Sequence, residues 1–177
     1  MAGFISLTDA KAHLRVEHDA DDALIQDLID AAAVHIERMT GHVAATRTEI
    51  IGFDRFTSAL ELRMRPVNAA AVTIGYLDGN GAAQSFADFR IVTKNGTVRI
   101  LPAIGSAWPG TACTTSAVTV TAEVGHGATA ETGAPSAPET LKQAARLCVG
   151  SWYHDREAGA IPEAARILLG DERACRA

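Results

Sequence analysis

The chain has 177 residues, 47% of them hydrophobic and 21% charged, which suits a domain with a core of its own and excludes wholesale disorder. Its formal net charge is −5, and aromatic residues are scarce at 5%, so an aliphatic core is expected in which each large ring carries more than its usual share of packing. No run of about 18 apolar residues occurs, so no membrane span is expected. The start Met1-Ala2-Gly3-Phe4-Ile5-Ser6 lacks the basic opening and apolar stretch of a signal peptide, so synthesis in the cytoplasm without secretory export is expected.

The charge is unevenly placed. Residues 1–45 carry eight acids against Lys11, Arg15 and Arg38, while 46–138 hold seven of each sign and 139–177 six of each. An acidic segment repels phosphate, so tight nonspecific DNA binding is disfavoured. A solvated helix face accounts for the same acids.

In chain order, the first predicted element is a helix from Leu7 to Val16. Ser6 can cap it, with Asp9 completing a capping-box-like arrangement, and Leu7, Ala10 and Leu14 share one side. Glu17-His18-Asp19 interrupts the pattern. A second helix is predicted from Asp21 to Thr40, with Leu24, Ile25, Leu28, Ile29, Ala32, Ile36 and Met39 at helical spacing and Gly41 placed to end it. Its length is roughly 30 Å. The period then changes to two. Leu60-Glu61-Leu62-Arg63-Met64 alternates strictly, and Thr46–Phe53, Val72–Tyr76, Phe89–Val92, Thr97–Leu101 and Val118–Val124 also read as strands. Turn chemistry at Asp78-Gly79-Asn80-Gly81 and Asn95-Gly96 separates some of them, and Pro66 ends the Leu60–Met64 strand.

Gly125–Ser136, rich in small residues, reads as a surface loop. A third helix follows, capped by Ser136 with Pro138 in its first turn and Leu141, Ala145, Cys148 and Trp152 on one stripe. A short last helix starts at Pro162, carries Ala165, Leu168 and Leu169, and stops at Gly170. The expected fold class is α+β: terminal helices packed as a small bundle, with a central antiparallel β-lobe inserted between them. One domain is expected, divided into N-terminal helices (1–45), β-lobe (46–127), and loop with C-terminal helices (128–177).

Chemistry-bearing patterns are absent. Neither glycine-rich stretch, Gly125-His126-Gly127 or Asp78-Gly79-Asn80-Gly81, matches a phosphate-binding loop, and turn residues explain both. The six histidines (His13, His18, His35, His42, His126, His154) form no ligand set and read as surface or partly buried polar residues. Cys113, Cys148 and Cys175 have no paired spacing and read as free thiols, with Cys148 on an apolar helix face. No catalytic, cofactor-binding or metal-ligating residue is assigned, and the chain is read as not an enzyme.

The distinctive stretch is Trp152-Tyr153-His154-Asp155-Arg156-Glu157. Trp152 with Arg156, and Tyr153 with Glu157, are i,i+4 pairs, the first with cation–π geometry in reach. Two readings stay open: the rings close the core, or they anchor an interface, since Trp, Tyr and Arg dominate buried contacts. Ala158-Gly159-Ala160 holds the following segment weakly, and Ile161, Leu168 and Leu169 need a surface. That segment is expected to be mobile in the free chain and to order on docking. The interface candidates are therefore Trp152, Tyr153, Arg156, Glu157, Ile161, Leu168 and Leu169.

Several stretches, in order, resemble one family. Leu7-Thr8-Asp9-Ala10-Lys11-Ala12-His13-Leu14-Arg15-Val16 looks like an opening "L-x-E-A-K-x-H-L-R-V", followed by Asp21-Asp22-Ala23-Leu24-Ile25 and its helix ending Thr40-Gly41. Arg65-Pro66-Val67, Tyr76-Leu77-Asp78-Gly79-Asn80-Gly81, Trp108-Pro109, Val118–Gly127 and Ala137–Ala144 follow, and Trp152–Glu157 looks like "W-Y-E-N-R-E". The chain thus resembles the head–tail connector (adaptor) family of long-tailed phages and gene-transfer-agent particles, a group also described as DNA-packaging proteins. His154-Asp155 in place of Glu-Asn, and Gly125-His126-Gly127 in place of Gly-Tyr-Gly, depart from the pattern. The resemblance implies a structural subunit at the head–tail junction of a virion, in a ring of about a dozen neighbouring copies beneath the portal protein. It implies a stopper or tail protein as a further partner, DNA only as a strand passing through the channel, and no cofactor. The competing readings are a DNA-binding packaging factor and a small cytoplasmic enzyme with His or Cys chemistry.

Overall fold

The computed structural model describes residues 3–94, 97–127, 136–156, 159–170 and 172. Two compact units emerge: a helical unit from residues 1–46 and 125–174, and a β unit whose continuous part is residues 47–124. The architecture is α+β, with helices at both ends and a central β region, as the sequence patterning predicts.

The helical unit contains α1 (Leu7–Leu14), α2 (Asp22–Thr40), α3 (Glu139–Asp155) and α4 (Glu163–Gly170). Ser6 caps α1 through a capping box: its hydroxyl accepts from the Asp9 amide at 3.1 Å, and the Asp9 carboxylate accepts from the Ser6 amide at 3.3 Å. α1 ends at Leu14, two residues earlier than expected, and its cap Arg15 turns left-handed at φ 58° and lets the Val16 amide bond back to Lys11. Gly41, at φ 76°, ends α2 and donates its amide to the Glu37 carbonyl at 2.8 Å.

Ser136 was expected to cap α3, but Pro138 occupies the cap position and its carbonyl accepts from Leu141 and Lys142. Proline has no amide to satisfy there, so it fits immediately before the first helical residue. α3 packs on α1, α2 and α4. Their apolar stripes close a core of Ile25, Leu28, Ile29, Ile36, Leu141, Cys148, Val149, Trp152 and Leu169, all buried.

The β unit holds two antiparallel sheets: a four-stranded one in the order β1 (Arg47–Phe53), β7 (Val118–Val124), β3 (Thr73–Leu77), β4 (Ala83–Phe86), and a three-stranded one in the order β2 (Leu60–Leu62), β6 (Thr97–Pro102), β5 (Phe89–Lys94). β7 alternates without a fault, burying Val118, Val120, Ala122 and Val124, and pairs with β1 from Arg47↔Val124 to Phe53↔Val118. β4 was not foreseen, because Ala83, Gln84 and Ser85 are exposed and only Phe86 is half-buried, which leaves no apolar alternation to read. The Asp78 carboxylate accepts from the Asn80 and Ala82 amides and shapes the turn between β3 and β4; these bonds, that from Ala82 first, hold its pKa below the usual carboxylate value. The Arg65–Pro66 peptide is cis, and β2 ends at Leu62, before Pro66. Phe56 stacks on Trp108 at 4.5 Å and 6°, with Tyr76 and Phe86 against Phe56, so four of the few rings gather in this unit. The expected Asn95-Gly96 turn and residues 128–135 of the Gly125–Ser136 loop lie outside the described residues.

Candidate interaction surfaces

The candidates of α3 and α4 separate by burial. Trp152 lies in the core of the helical unit at 2% exposure, its indole N–H donating to the Ala160 carbonyl at 3.1 Å and its ring meeting His35 at 5.6 Å. Tyr153 is half-buried and donates its hydroxyl to Asp21 Oδ2 at 2.5 Å, tying α3 to the start of α2. That bond to a carboxylate is the main cause of a raised tyrosine pKa. Arg156 leaves the helix in a left-handed conformation (φ 57°), donating its amide to the Trp152 carbonyl, and its side chain is exposed. The helical i,i+4 geometry assumed for Trp152 and Arg156 therefore ends at the cap. Glu157 lies outside the described residues.

The structure corrects the expectation of a loosely held C-terminal segment. Ala165 and Leu169 are fully buried and Ile161 packs against the same core, so α4 finds its surface on its own subunit. Ile161 and Leu168 remain half-exposed, while Ile167 points outward at 65% exposure. The bond from Trp152 holds Ala160, the last of the small residues that sequence alone reads as slack.

Two histidines read from the sequence as surface or partly buried polar residues are in fact buried. His42 and His126 are 7% and 4% exposed, their rings stack at 5.1 Å, and His42 Nδ1 lies 2.8 Å from His126 Nε2. The Glu172 carboxylate stands 3.6 Å from His42 Nε2. Next to the pair, Gly125 adopts φ 117°, and a Cβ there would fall 2.4 Å from the Ala45 carbonyl oxygen. No sequence pattern could have found the pair, because 84 residues separate its members. Among the described residues no group of three or more His, Cys, Asp or Glu side chains could hold a metal ion, and no helix is long and apolar enough to cross a membrane.

Two charged surfaces emerge from the packing. At the α1–α2 corner Lys11 binds Asp19 at 2.6 Å and Asp22 at 2.7 Å, Glu17 and Arg15 are exposed in the connection, and Asp27 is exposed more than a turn further along α2. The outer face of the three-stranded sheet is of opposite sign. Its pairing sets Val92 opposite Arg99 and Glu61 opposite Arg99, so Arg90, Val92 and Lys94 of β5 share a face with Arg99 of β6 and Glu61 of β2. Arg99 Nε sits 3.2 Å from Glu61 Oε1, close enough for an ion pair though not aligned for a hydrogen bond. Arg90 and Lys94 are exposed, as is Arg63 just beyond β2.

The described residues thus form a four-helix unit and a two-sheet β unit. Residues 4–61 match the family model of phage gp6-like head-tail connector proteins, and the resemblance read from the sequence is borne out there. No curated protein matches. Among solved structures the chain is similar to one in the virion of a native gene transfer agent particle, with TM-score 0.75, 23% identity, and coverage of 98% of this chain and 91% of that one. It is equally similar to a chain in the neck of an empty particle computed with C6 symmetry (TM-score 0.76, 23% identity, 98% and 91% covered). A third match lies in the neck of a native particle computed with C12 symmetry (TM-score 0.73, 22% identity, 97% and 89% covered). At this identity the likeness establishes the fold.

Proposed function

We propose that the chain is a structural, non-enzymatic head–tail connector (adaptor) subunit that sits in the neck of a tailed phage or phage-like particle. The observation that carries this reading is the agreement of two independent matches: the connector family model over residues 4–61, and a fold likeness to neck chains that spans 98% of the chain. Copies form a ring of about a dozen beneath the portal, in keeping with the C12 symmetry of one matched neck. The ring joins the portal to a stopper or tail protein and leaves a channel through which DNA passes.

Within that role the exposed parts of Tyr153, Arg156, Ile161 and Leu168 are contact candidates, together with Glu157. Trp152 and Leu169 serve by holding α3 and α4 in place. The test is deletion of the gene in the particle-producing cell, with electron microscopy of the products. Heads without tails, restored by the gene in trans, are expected; tailed particles of normal appearance would overturn the reading.

A further inference from the structure

The charge of this molecule is divided by unit. Residues 1–46 and 125–174 carry fifteen acids against eight Lys and Arg, while 47–124 carry six acids against seven. The positive side is concentrated by the β pleat, which places Arg90, Lys94 and Arg99 on one face of the three-stranded sheet with Arg63 just beyond it. The carboxylates around them are Glu61, occupied by Arg99, and Asp88 at the margin before β5. A single lysine on an edge strand is enough to discourage unwanted strand pairing. A face kept only for solubility mixes its signs across strands. Here the signs mix only between β6 and β2, where Arg99 faces Glu61, while the edge strand β5 presents Arg90 and Lys94 with no acid on its own side of the face.

Resting on the connector reading, we propose that this basic sheet face is one half of the contact between neighbouring copies, and that the acidic α1–α2 corner of the next copy is the other half. Both surfaces lie on every copy, so the contact is heterologous and can propagate around a closed ring. Beyond the carboxylates already drawn to Lys11, the acidic side offers Glu17 in the connection and Asp27 further along α2, both exposed, against the exposed Arg15. Two patches of opposite sign set register and speed encounter, and their attraction fades as salt rises.

The experiment uses the full chain and two charge-reversed variants, R90E/K94E and E17K/D27K, each checked for an unchanged melting curve. Self-association is followed by sedimentation velocity at about 0.05 M and about 0.5 M salt, where screening lengths differ roughly threefold. Wild type associates at low salt and dissociates at high salt, and each variant alone associates at least about tenfold more weakly. The equal mixture recovers by alternating the two variants, because the reversed sheet of one then meets the reversed corner of the other at every second contact and native sheet meets native corner at the rest. Wild type that stays monomeric at low salt, a variant that associates like wild type, or a mixture that fails to recover overturns the proposal. A short DNA duplex added as a probe gives a further overturning outcome: loss of duplex binding by R90E/K94E with unchanged self-association assigns the face to nucleic acid. Failure of the connector reading is distinct, since it shows as normal tailed particles after gene deletion, whereas failure of this proposal leaves necks intact in particles built with R90E/K94E.

Discussion

Leu169→Ala is the substitution that separates a core α4 from a loosely attached one. Leu169 has no exposed surface and belongs to the same core as Leu141, Cys148 and Trp152. Truncation removes the transfer free energy of the buried side chain and leaves a cavity that the fixed helices fill only in part, a combined loss of about 3 kcal/mol. For a chain of this size that lowers the melting temperature by roughly 6–12 °C. Ile167→Ala is the control: two residues away on the same helix but 65% exposed, it is expected to stay within about 0.5 kcal/mol. Circular dichroism melts of both variants, with urea titrations to confirm the free energies, make the comparison. Equal, small effects at both positions would falsify the placement of α4 in the core and restore the picture of a segment that orders only on docking. Deletion of everything after Arg156 is expected to follow Leu169→Ala and yield an unstable chain.

Burial pushes the Cys148 thiol up to about 11 from an ordinary 9.0, so at pH 8 mass-spectrometric mapping of alkylated peptides is expected to find exposed Cys113 modified and Cys148 protected until urea is added. Because the folded thiol holds its proton longer than the unfolded one, stability falls as pH rises from about 9 to 11, by at most roughly 2–3 kcal/mol; a Cys148→Ala variant with the same slope refutes this contribution. Gly125→Ala is expected to cost more than about 2 kcal/mol, because its Cβ would strike the Ala45 carbonyl at a left-handed φ, while Gly79→Ala, with nothing within 4 Å, changes the urea midpoint little.

Local patterning decided most of the secondary structure. The Ser6–Asp9 capping box, the apolar spacing of α2 with Gly41 behind it, and the alternation of β7 are short-range effects complete within a few residues. The α+β class and the order of elements follow from those periods alone. Where period was missing, as in β4, the strand was missed, because it is held by register with β3 and not by burial of its own side chains. The fate of the C-terminal segment lay beyond local reasoning. Ile161 and Leu169 announce an apolar face, but whether it meets the subunit or a partner depends on where α3 runs, and the indole bond from Trp152 to Ala160 is made only once that packing exists. The His42–His126 pair and the basic face of the three-stranded sheet are of the same kind. Composition fixes how many charges and rings the chain owns, but contacts across 84 residues and pairings between strands decide which of them stand together, since only the folded backbone sets those distances.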